Sequence, residues 1–310
     1  MKLLRLSRDY FESIALPSLR AELPELLPHL AAGLVGNGSE CFGYDDEISR
    51  DHDWGVDFFV WVTDNAQVPA LAEWKRKLFE NHPPEFPRTR SEYGARVTVQ
   101  TCGEFYADLL GVSDVPRTLT EWRRAPEENF AMATNGAVFL DNAGEFTRIR
   151  DELLAYYPED LRRKRISYRC MALAQTGQYN LDRCVRRGDF VTARTVLARF
   201  TDSAIAMAFL LNRRYRPYYK WAFRATRDLP TLGGALAPLL QSIAAAPNFN
   251  GAAYAELQRD IAAVCELIAA ELRAQGLAAS DDWFLTAQGE EVRASIEDEF
   301  LRGLPAQVEV

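Results

Sequence analysis

Histidine and cysteine are scarce and scattered in this sequence, which limits the metal sites that it can form. Its 310 residues include three histidines and five cysteines, with no Cys-x-x-Cys or His-x-x-x-His pair. This spacing argues against the common structural zinc sites. A metal would have to be held by carboxylates, which favour magnesium or manganese. Unpaired cysteines are typical of reduced thiols, so we expect a cytoplasmic protein.

Long apolar runs are also lacking. The longest candidate, Ala204–Leu211, falls far short of the roughly 20 residues that cross a bilayer. The N-terminus begins like a signal peptide, but Arg5, Arg8, Asp9 and Glu12 interrupt its apolar residues and favour an amphipathic helix. The sequence therefore predicts no membrane partner, and its length favours two domains.

Positive charge is in deficit over the whole chain but not along one stretch. The net charge is −8, so general affinity for nucleic acid is not expected. Between Arg162 and Arg227, however, there are 16 basic and three acidic residues, a local charge of +13 against −21 for the rest. This stretch is suited to bind anions.

Strand and helix signals divide the chain into two parts. Before about residue 145 the two are mixed, and afterwards only helical spacing recurs, which predicts an α+β protein. We expect a small mixed-sheet domain over residues 1–147 and an antiparallel helical bundle over 148–310. The predicted strands are Val56–Val62, Arg96–Thr101 and Asn135–Leu140, and the predicted helices of the first part are Leu3–Ala15, Leu23–Ala32, Ala70–Asn81 and Glu104–Leu110. The predicted helices of the second part are Phe146–Tyr156, Leu161–Thr176, Asn180–Arg187, Phe190–Arg214, Pro217–Arg227, Leu232–Ala245 and Ala252–Gln275.

An acidic loop between two apolar segments has the composition of a site. The 22 residues from Gly36 to Asp57 include five aspartates and two glutamates. Like charges this close raise one another's pKa unless a cation neutralises them, as a divalent metal would. Some of them, Asp45, Asp46 and Glu47, also fit a solvated turn.

Individual residues of this loop suit phosphoryl-type transfer. Gly38 lets the backbone approach a phosphate, and Ser39 can donate its hydroxyl or amide to it. In an extended segment Asp51 and Asp53 face the same side, so they could bind a metal pair that grips a triphosphate. Asp57 is in phase with them, and Asp53 with Asp57 is the alternative ligand pair. His52 would face the other way.

The loop resembles the signature of the polymerase-β-like nucleotidyltransferase superfamily, in which Gly-Ser is followed about ten residues later by Asp-x-Asp and an apolar strand. Residues 38–55, GSE..GYDDE.SRDHDWG, are similar to the motif of one bacterial family in this superfamily. That family is described only as nucleotidyltransferase-like and has no known function. The segment LNRRYRPYYKW, residues 211–221, resembles the helical bundle of kanamycin-type nucleotidyltransferases. The resemblance covers roughly residues 1–230, and the loop is its more specific part.

The resemblance implies a role for each matching residue. Gly38 and Ser39 would bind the nucleotide phosphates, and Asp51 and Asp53 would hold magnesium. The family's third acid belongs on a later strand, where Arg96–Thr101 has none. Glu104, after that strand, is the best candidate for this catalytic position.

The bundle would contribute basic residues. Lys220, Arg224 and Arg227 share one face of a helix that starts near Pro217. Lys220 matches the bundle lysine that approaches the nucleotide in kanamycin-type enzymes, and Arg224 would assist it. The alternative is that this face pairs with the acidic remainder of the chain. For the cluster from Arg162 to Arg169 that alternative is favoured.

These features predict a metal-dependent nucleotidyltransferase. It would move a nucleoside monophosphate from a nucleoside triphosphate, expected to be ATP, to a hydroxyl acceptor that the sequence does not identify. Two alternatives are open. The missing third acid suits an inactive nucleotide-binding or regulatory module, and the basic bundle suits an RNA-directed protein of the tRNA or toxin–antitoxin type. Nucleic acid is the less favoured partner.

Overall fold

In the computed structural model, residues 2–50, 54–88 and 97–310 are described, and the chain divides into two compact units. The first is Met1–Ala155 and the second is Tyr156–Val310. The sequence suggested a boundary after residue 147. The division falls later because the helix Glu145–Leu154 packs its buried residues, Phe146, Ile149 and Leu153, within the first unit. Phe146, for example, stacks on Trp61 of the first unit's sheet with ring centroids 3.9 Å apart.

The first unit is built on a mixed sheet. Its described strands are β1 (Leu30–Leu34), β2 (Phe59–Val62), β3 (Val99–Thr101) and β4 (Ala137–Asp141), in the order β3-β2-β1-β4. β1 is antiparallel to β2 and β4, whereas β2 is parallel to β3. β1 and β2 are buried along their whole length, so the core of this unit lies on both sides of them.

Helices surround this sheet. They are α1 (Leu3–Tyr10), α2 (Leu16–Glu22), α3 (Val68–Asn81), α4 (Cys102–Leu110), α5 (Leu119–Arg124), α6 (Glu127–Thr134) and α7 (Glu145–Leu154). A π-helical turn, Phe11–Ala15, joins α1 to α2. Phe11 and Phe58 meet edge to face with ring centroids 5.2 Å apart, in the core between these helices and the sheet.

The prediction of a helix over Leu23–Ala32 is wrong. A 3₁₀ turn occupies Leu27–His29, and strand β1 begins at Leu30. Pro24 and Pro28 interrupt helical hydrogen bonding there. The apolar residues that follow form a central strand, and a strand buried on both faces has no polar alternation to distinguish it from a helix.

The second unit is helical. Its helices are α8 (Glu159–Leu173), α9 (Leu181–Arg186), α10 (Phe190–Leu211), α11 (Tyr219–Thr226), α12 (Gly233–Ala245), α13 (Gly251–Ala274), α14 (Thr286–Ala294) and α15 (Glu299–Gly303). α8 packs on α10 and α14, and α12 packs on α13. Their buried apolar residues form one core. A sheet domain followed by a helical bundle confirms the predicted α+β class.

A π-helical segment, Ala174–Asn180, continues α8 where an α-helix was predicted as far as Thr176. Gly177 lies inside it, and a Cβ atom at this position would come 2.4 Å from the Phe200 ring. In the described part of the chain, no helix is long and apolar enough to cross a membrane.

Candidate functional site

The acidic loop lies at one edge of the sheet. Because β1 and β2 are antiparallel, with Gly33 opposite Phe59, the end of β1 and the start of β2 meet at this edge. The loop from Gly36 to Asp57 connects these two points. The predicted metal ligands Asp51 and Asp53 lie outside the described residues. The next described residue is Trp54, five residues before β2.

The first turn of the loop is fixed by a distant asparagine. Gly36 has a φ of 116°, a left-handed conformation that favours glycine. Its N–H donates to Asn135 Oδ1 at 2.8 Å, and Asn135 Nδ2 donates to the Gly36 carbonyl at 2.7 Å. The Gly136 amide also donates to the Cys41 carbonyl, at 2.8 Å. Asn135 is thus a positioning residue that the sequence analysis missed, although Asn135-Gly136 is a recognisable turn signal.

Gly38 and Ser39 form the turn that the sequence analysis assigned to phosphate. Ser39–Phe42 is a short 3₁₀ turn, and Gly38 precedes it in extended conformation. A Cβ atom at Gly38 would come 2.2 Å from the Glu40 carboxylate, so a larger residue here would require the Glu40 side chain to move. Both Gly38 and Ser39 are partly exposed, which leaves them accessible to a ligand.

Glu40 is a buried acid at this edge. The residue is 2% exposed, and its Oε1 has no hydrogen-bond partner. Arg88 Nη1, also without a hydrogen bond, lies 3.6 Å from this oxygen. A buried carboxylate with an unsatisfied oxygen is stabilised by a cation or a bound water. Arg88 supplies such a cation here, and sequence spacing had not singled out Glu40.

Asp57 is paired with a lysine. Lys75 Nζ, on α3, lies 2.7 Å from Asp57 Oδ1, and the two side chains are 9% and 13% exposed. Lys75 also donates to Thr98 Oγ1 at 2.7 Å and to the Phe58 carbonyl. The same Asp57 oxygen accepts the Phe58 amide at 2.8 Å. These bonds give Asp57 a structural role and speak against the prediction that it binds a metal.

The structure corrects the assignment of Glu104. β2 and β3 are parallel, with Thr101 opposite Val62, so Glu104 follows the far end of both strands. Its carboxylate accepts the Thr101 amide and hydroxyl, both at 2.9 Å, in a capping box that starts α4. These bonds hold the pKa of Glu104 below its ordinary value of 4.5. Glu104 thus caps a helix at the edge opposite the loop.

Other acids of the loop stabilise turns. Asp46 Oδ1 accepts the amide and hydroxyl of Ser49, at 3.0 and 2.8 Å. Asp45 Oδ2 accepts the Leu3 amide at 2.9 Å. Across residues 2–50, 54–88 and 97–310, no three His, Cys, Asp or Glu side chains converge as a metal site.

A cavity lies beside the Asp57–Lys75 pair. It has a volume of about 780 Å³ and is bounded by α3, the segment after it and the start of β3. Phe79, Pro84 and Val99 make much of its wall apolar, while Lys75 and Arg88 bring cationic groups to it. Both cations are already paired, Lys75 with Asp57 and Arg88 with Glu40, so the lining favours a ligand with an apolar or planar part.

The two bundle residues assigned to the nucleotide belong to the second unit. Lys220 and Arg224 are exposed on α11, on the side away from the buried Ala222 and Thr226. Lys220 Nζ lies 5.1 Å from the centre of the Trp221 ring, and Arg224 Cζ lies 5.9 Å from it. The shared face predicted for Lys220, Arg224 and Arg227 agrees with this exposure.

The basic cluster at the start of α8 is bound up in contacts inside the second unit. Arg162 and Arg163 pair with Glu159, at 2.9 and 3.3 Å. Arg169 pairs with Glu309. Lys164 is fully buried and donates to the carbonyls of Pro305 and Val308, both at 2.7 Å. Lys164 and Arg169 hold the C-terminal segment against α8. The sequence favoured pairing of this cluster with acidic residues, and Arg162, Arg163 and Arg169 do pair with acids, all of which lie in the same unit.

Comparison with known proteins gives one family. Residues 122–222 match the model of a domain of unknown function (DUF4037). The match covers 101 of the 310 residues and lies outside the Gly38-Ser39 loop. No curated protein and no solved structure matches the chain. From α5 through the first part of α11, the chain is thus similar to a family to which no activity is assigned.

Proposed function

We propose that this protein is a metal-dependent nucleotidyltransferase that moves a nucleoside monophosphate from ATP to a hydroxyl acceptor. The observation that carries the proposal is the glycine–serine turn at the end of β1. This turn lies at the edge where the chain from Asp51 and Asp53 enters β2. The order of turn, acid pair and buried strand is that of the polymerase-β-like superfamily, which the loop resembles.

Each residue of the loop has a proposed role. Gly38 and Ser39 bind phosphate oxygens through backbone amides and the serine hydroxyl. Asp51 and Asp53 hold magnesium or manganese. When bound, the metal neutralises the triphosphate and activates the attacking hydroxyl.

The remaining proposed contacts concern the rest of the nucleotide and the acceptor. The cavity between α3 and β3 suits the nucleobase or the acceptor, with Arg88 at its margin. We place the enzyme in the cytoplasm, in keeping with five free, buried cysteines.

The test is transfer from α-labelled ATP. Asp51→Asn and Asp53→Asn should each abolish pyrophosphate release and labelling of acceptors, because neither amide can hold the metal. Asp9→Asn, an exposed acid on α1, is the matched control and should keep full activity. Full activity in both loop variants would overturn the assignment.

A second candidate is a module that binds the nucleotide without transferring it. It is favoured because neither of the other two acids assigned to the site is placed to act as the third catalytic acid. Asp57 is paired with Lys75, and Glu104 lies at the opposite edge of the sheet. Such a protein would bind ATP with magnesium and release no pyrophosphate with any acceptor. Calorimetry with a non-hydrolysable ATP analogue, run beside the transfer assay, separates the two functions.

A further inference from the structure

Basic and aromatic side chains are exposed along α11 and on the segment that precedes it. We define the α11 surface as Arg214, Tyr218, Tyr219, Lys220 and Arg227. Tyr218 is 46% exposed and Tyr219 is 75% exposed. Their rings are adjacent, with centroids 4.2 Å apart. Two neighbouring aromatic rings in solvent are available to stack on a ligand.

Three cations of this surface have no acidic partner. No carboxylate of the described residues lies within ion-pair distance of Arg214, Lys220 or Arg227. The arginines beside them differ, since Arg213 pairs with Glu159 at 2.8 Å and Arg216 pairs with Asp202 at 2.6 Å. The α11 surface thus has positive charge available for an anionic partner.

The chemistry of the surface indicates which anion it fits. Exposed tyrosine rings bind flat bases by stacking, and separate cations track a phosphate backbone. An acidic peptide would use the charge and leave the rings uncovered. A duplex would hide its bases from the rings. Unstacked bases that a protein can cover occur mainly in loops and ends of RNA.

From this juxtaposition we infer that the α11 surface binds single-stranded RNA, with bases on Tyr218 and Tyr219 and phosphates on Arg214, Lys220 and Arg227. The inference concerns binding alone and does not depend on nucleotidyl transfer. It gives the +13 stretch of this acidic protein a partner that its net charge of −8 would not suggest.

The experiment is fluorescence anisotropy of the full chain with a labelled oligouridylate of about 12 nucleotides, within the range that such surfaces cover. Magnesium and ATP are omitted, so the result is independent of the proposed transfer. With three phosphate contacts, the slope of log K against log salt should be about −2 for a single strand. Lys220→Ala should make this slope shallower by about 0.7.

The tyrosines give a second readout. Tyr219→Ala should weaken binding by roughly 5- to 100-fold, because one base loses its stacking partner. Tyr219→Phe should bind like the wild type, since the ring is kept. The matched controls in the same unit, Arg259→Ala and Tyr179→Ala, are also exposed and should leave binding unchanged.

Several results would overturn the inference. They are no binding at low salt, equal losses in the control variants, or tighter binding of oligothymidylate or of a glutamate-rich peptide than of the RNA. Displacement of the RNA by ATP with magnesium at stoichiometric concentrations would instead assign the surface to the triphosphate. Loss of transfer in the Asp51 variant with RNA binding intact would leave the inference standing.

Discussion

At the scale of single residues, the edge of the sheet is organised by a buried ion pair. Asp57 and Lys75 are almost fully buried and lie 2.7 Å apart. Such a pair adds little net stability, but removal of one partner leaves a buried charge without compensation. The pair thus constrains the entry into β2, next to the segment with Asp51 and Asp53.

Asp57→Ala should lower the free energy of unfolding by about 3–5 kcal/mol, because Lys75 then loses its carboxylate. The double variant Asp57→Leu, Lys75→Met should lose less than the sum of the two single changes. Urea denaturation of the wild type, Asp57→Leu, Lys75→Met and the double variant measures this coupling. Asp9→Ala breaks the exposed Arg5–Asp9 pair and should change stability little. Additive losses would contradict the role given to the buried pair.

Glu104 provides a test by pH. Because its pKa lies below 4.5 in the folded protein, the capping box contributes stability above that pH. The contribution is lost as pH falls through the lowered pKa. The difference in unfolding free energy between wild type and Glu104→Gln should therefore be largest near neutral pH and shrink in acid.

In an assay of the proposed nucleotidyl transfer, the same Glu104→Gln variant should match the wild type, because Glu104 lies at the edge opposite the loop. A fall in turnover with unchanged stability would restore Glu104 to the catalytic position that the sequence suggested. A stability difference that does not vary with pH would contradict the capping role.

Sequence predicted the site's local features better than its long-range ones. The turn at Gly38-Ser39 could be predicted because glycine and serine dictate conformation over a few residues. Asn135 could not, since it lies 99 residues from Gly36. Lys75 was equally hidden, because helical spacing does not reveal which side chain will meet Asp57. Glu104 was misassigned because the direction of β3 relative to β2 is set by the fold.

At the scale of secondary structure elements, periodicity identified the long helices. The bounds of α10 and α13 were predicted closely, as Phe190–Arg214 and Ala252–Gln275. Glycine and proline residues near their ends made these bounds recognisable. The short helices α5 and α14 were missed, since six to nine residues show little period. The first three residues of β1, Leu30–Ala32, were assigned to the end of a helix, because they are all apolar.

The π-helical segment is an element that sequence could not predict, and it depends on Gly177. Gly177→Ala should destabilise the protein by about 1–3 kcal/mol, because the new methyl group would come within 2.4 Å of Phe200 and 2.9 Å of Ile261. Gly234→Ala, in α12, is the matched control. Nothing lies within 4 Å of its Cβ position, so this change should stabilise by up to about 1 kcal/mol. Thermal unfolding of both variants distinguishes crowding from helix propensity, and a neutral Gly177→Ala would refute the packing argument.

At the scale of the whole chain, charge is divided unevenly between the two units. The first has 16 basic and 26 acidic residues, and the second has 20 basic and 18 acidic. Net charges of −10 and +2 follow. The basic stretch was recognisable from the sequence alone. The sequence did not show which of its cations form ion pairs inside the second unit and which are exposed. The α8 cluster makes contacts inside the second unit, whereas Lys220 and Arg227 are exposed.

The internal use of charge is clearest at Lys164, which connects the end of the chain to α8. Its buried ammonium donates to the Pro305 and Val308 carbonyls, more than 140 residues away in sequence. Lys164→Met should cost about 1–3 kcal/mol, because the methionine fills the space but leaves those carbonyls without a donor. It should also speed hydrogen exchange in residues 305–310. Arg259→Met, on the exposed side of α13, is the control for loss of one cation, and it should alter neither quantity. If Lys164→Met kept wild-type stability and exchange, the C-terminal segment would have to be held by Arg165 and Arg169 instead, through Val310 and Glu309.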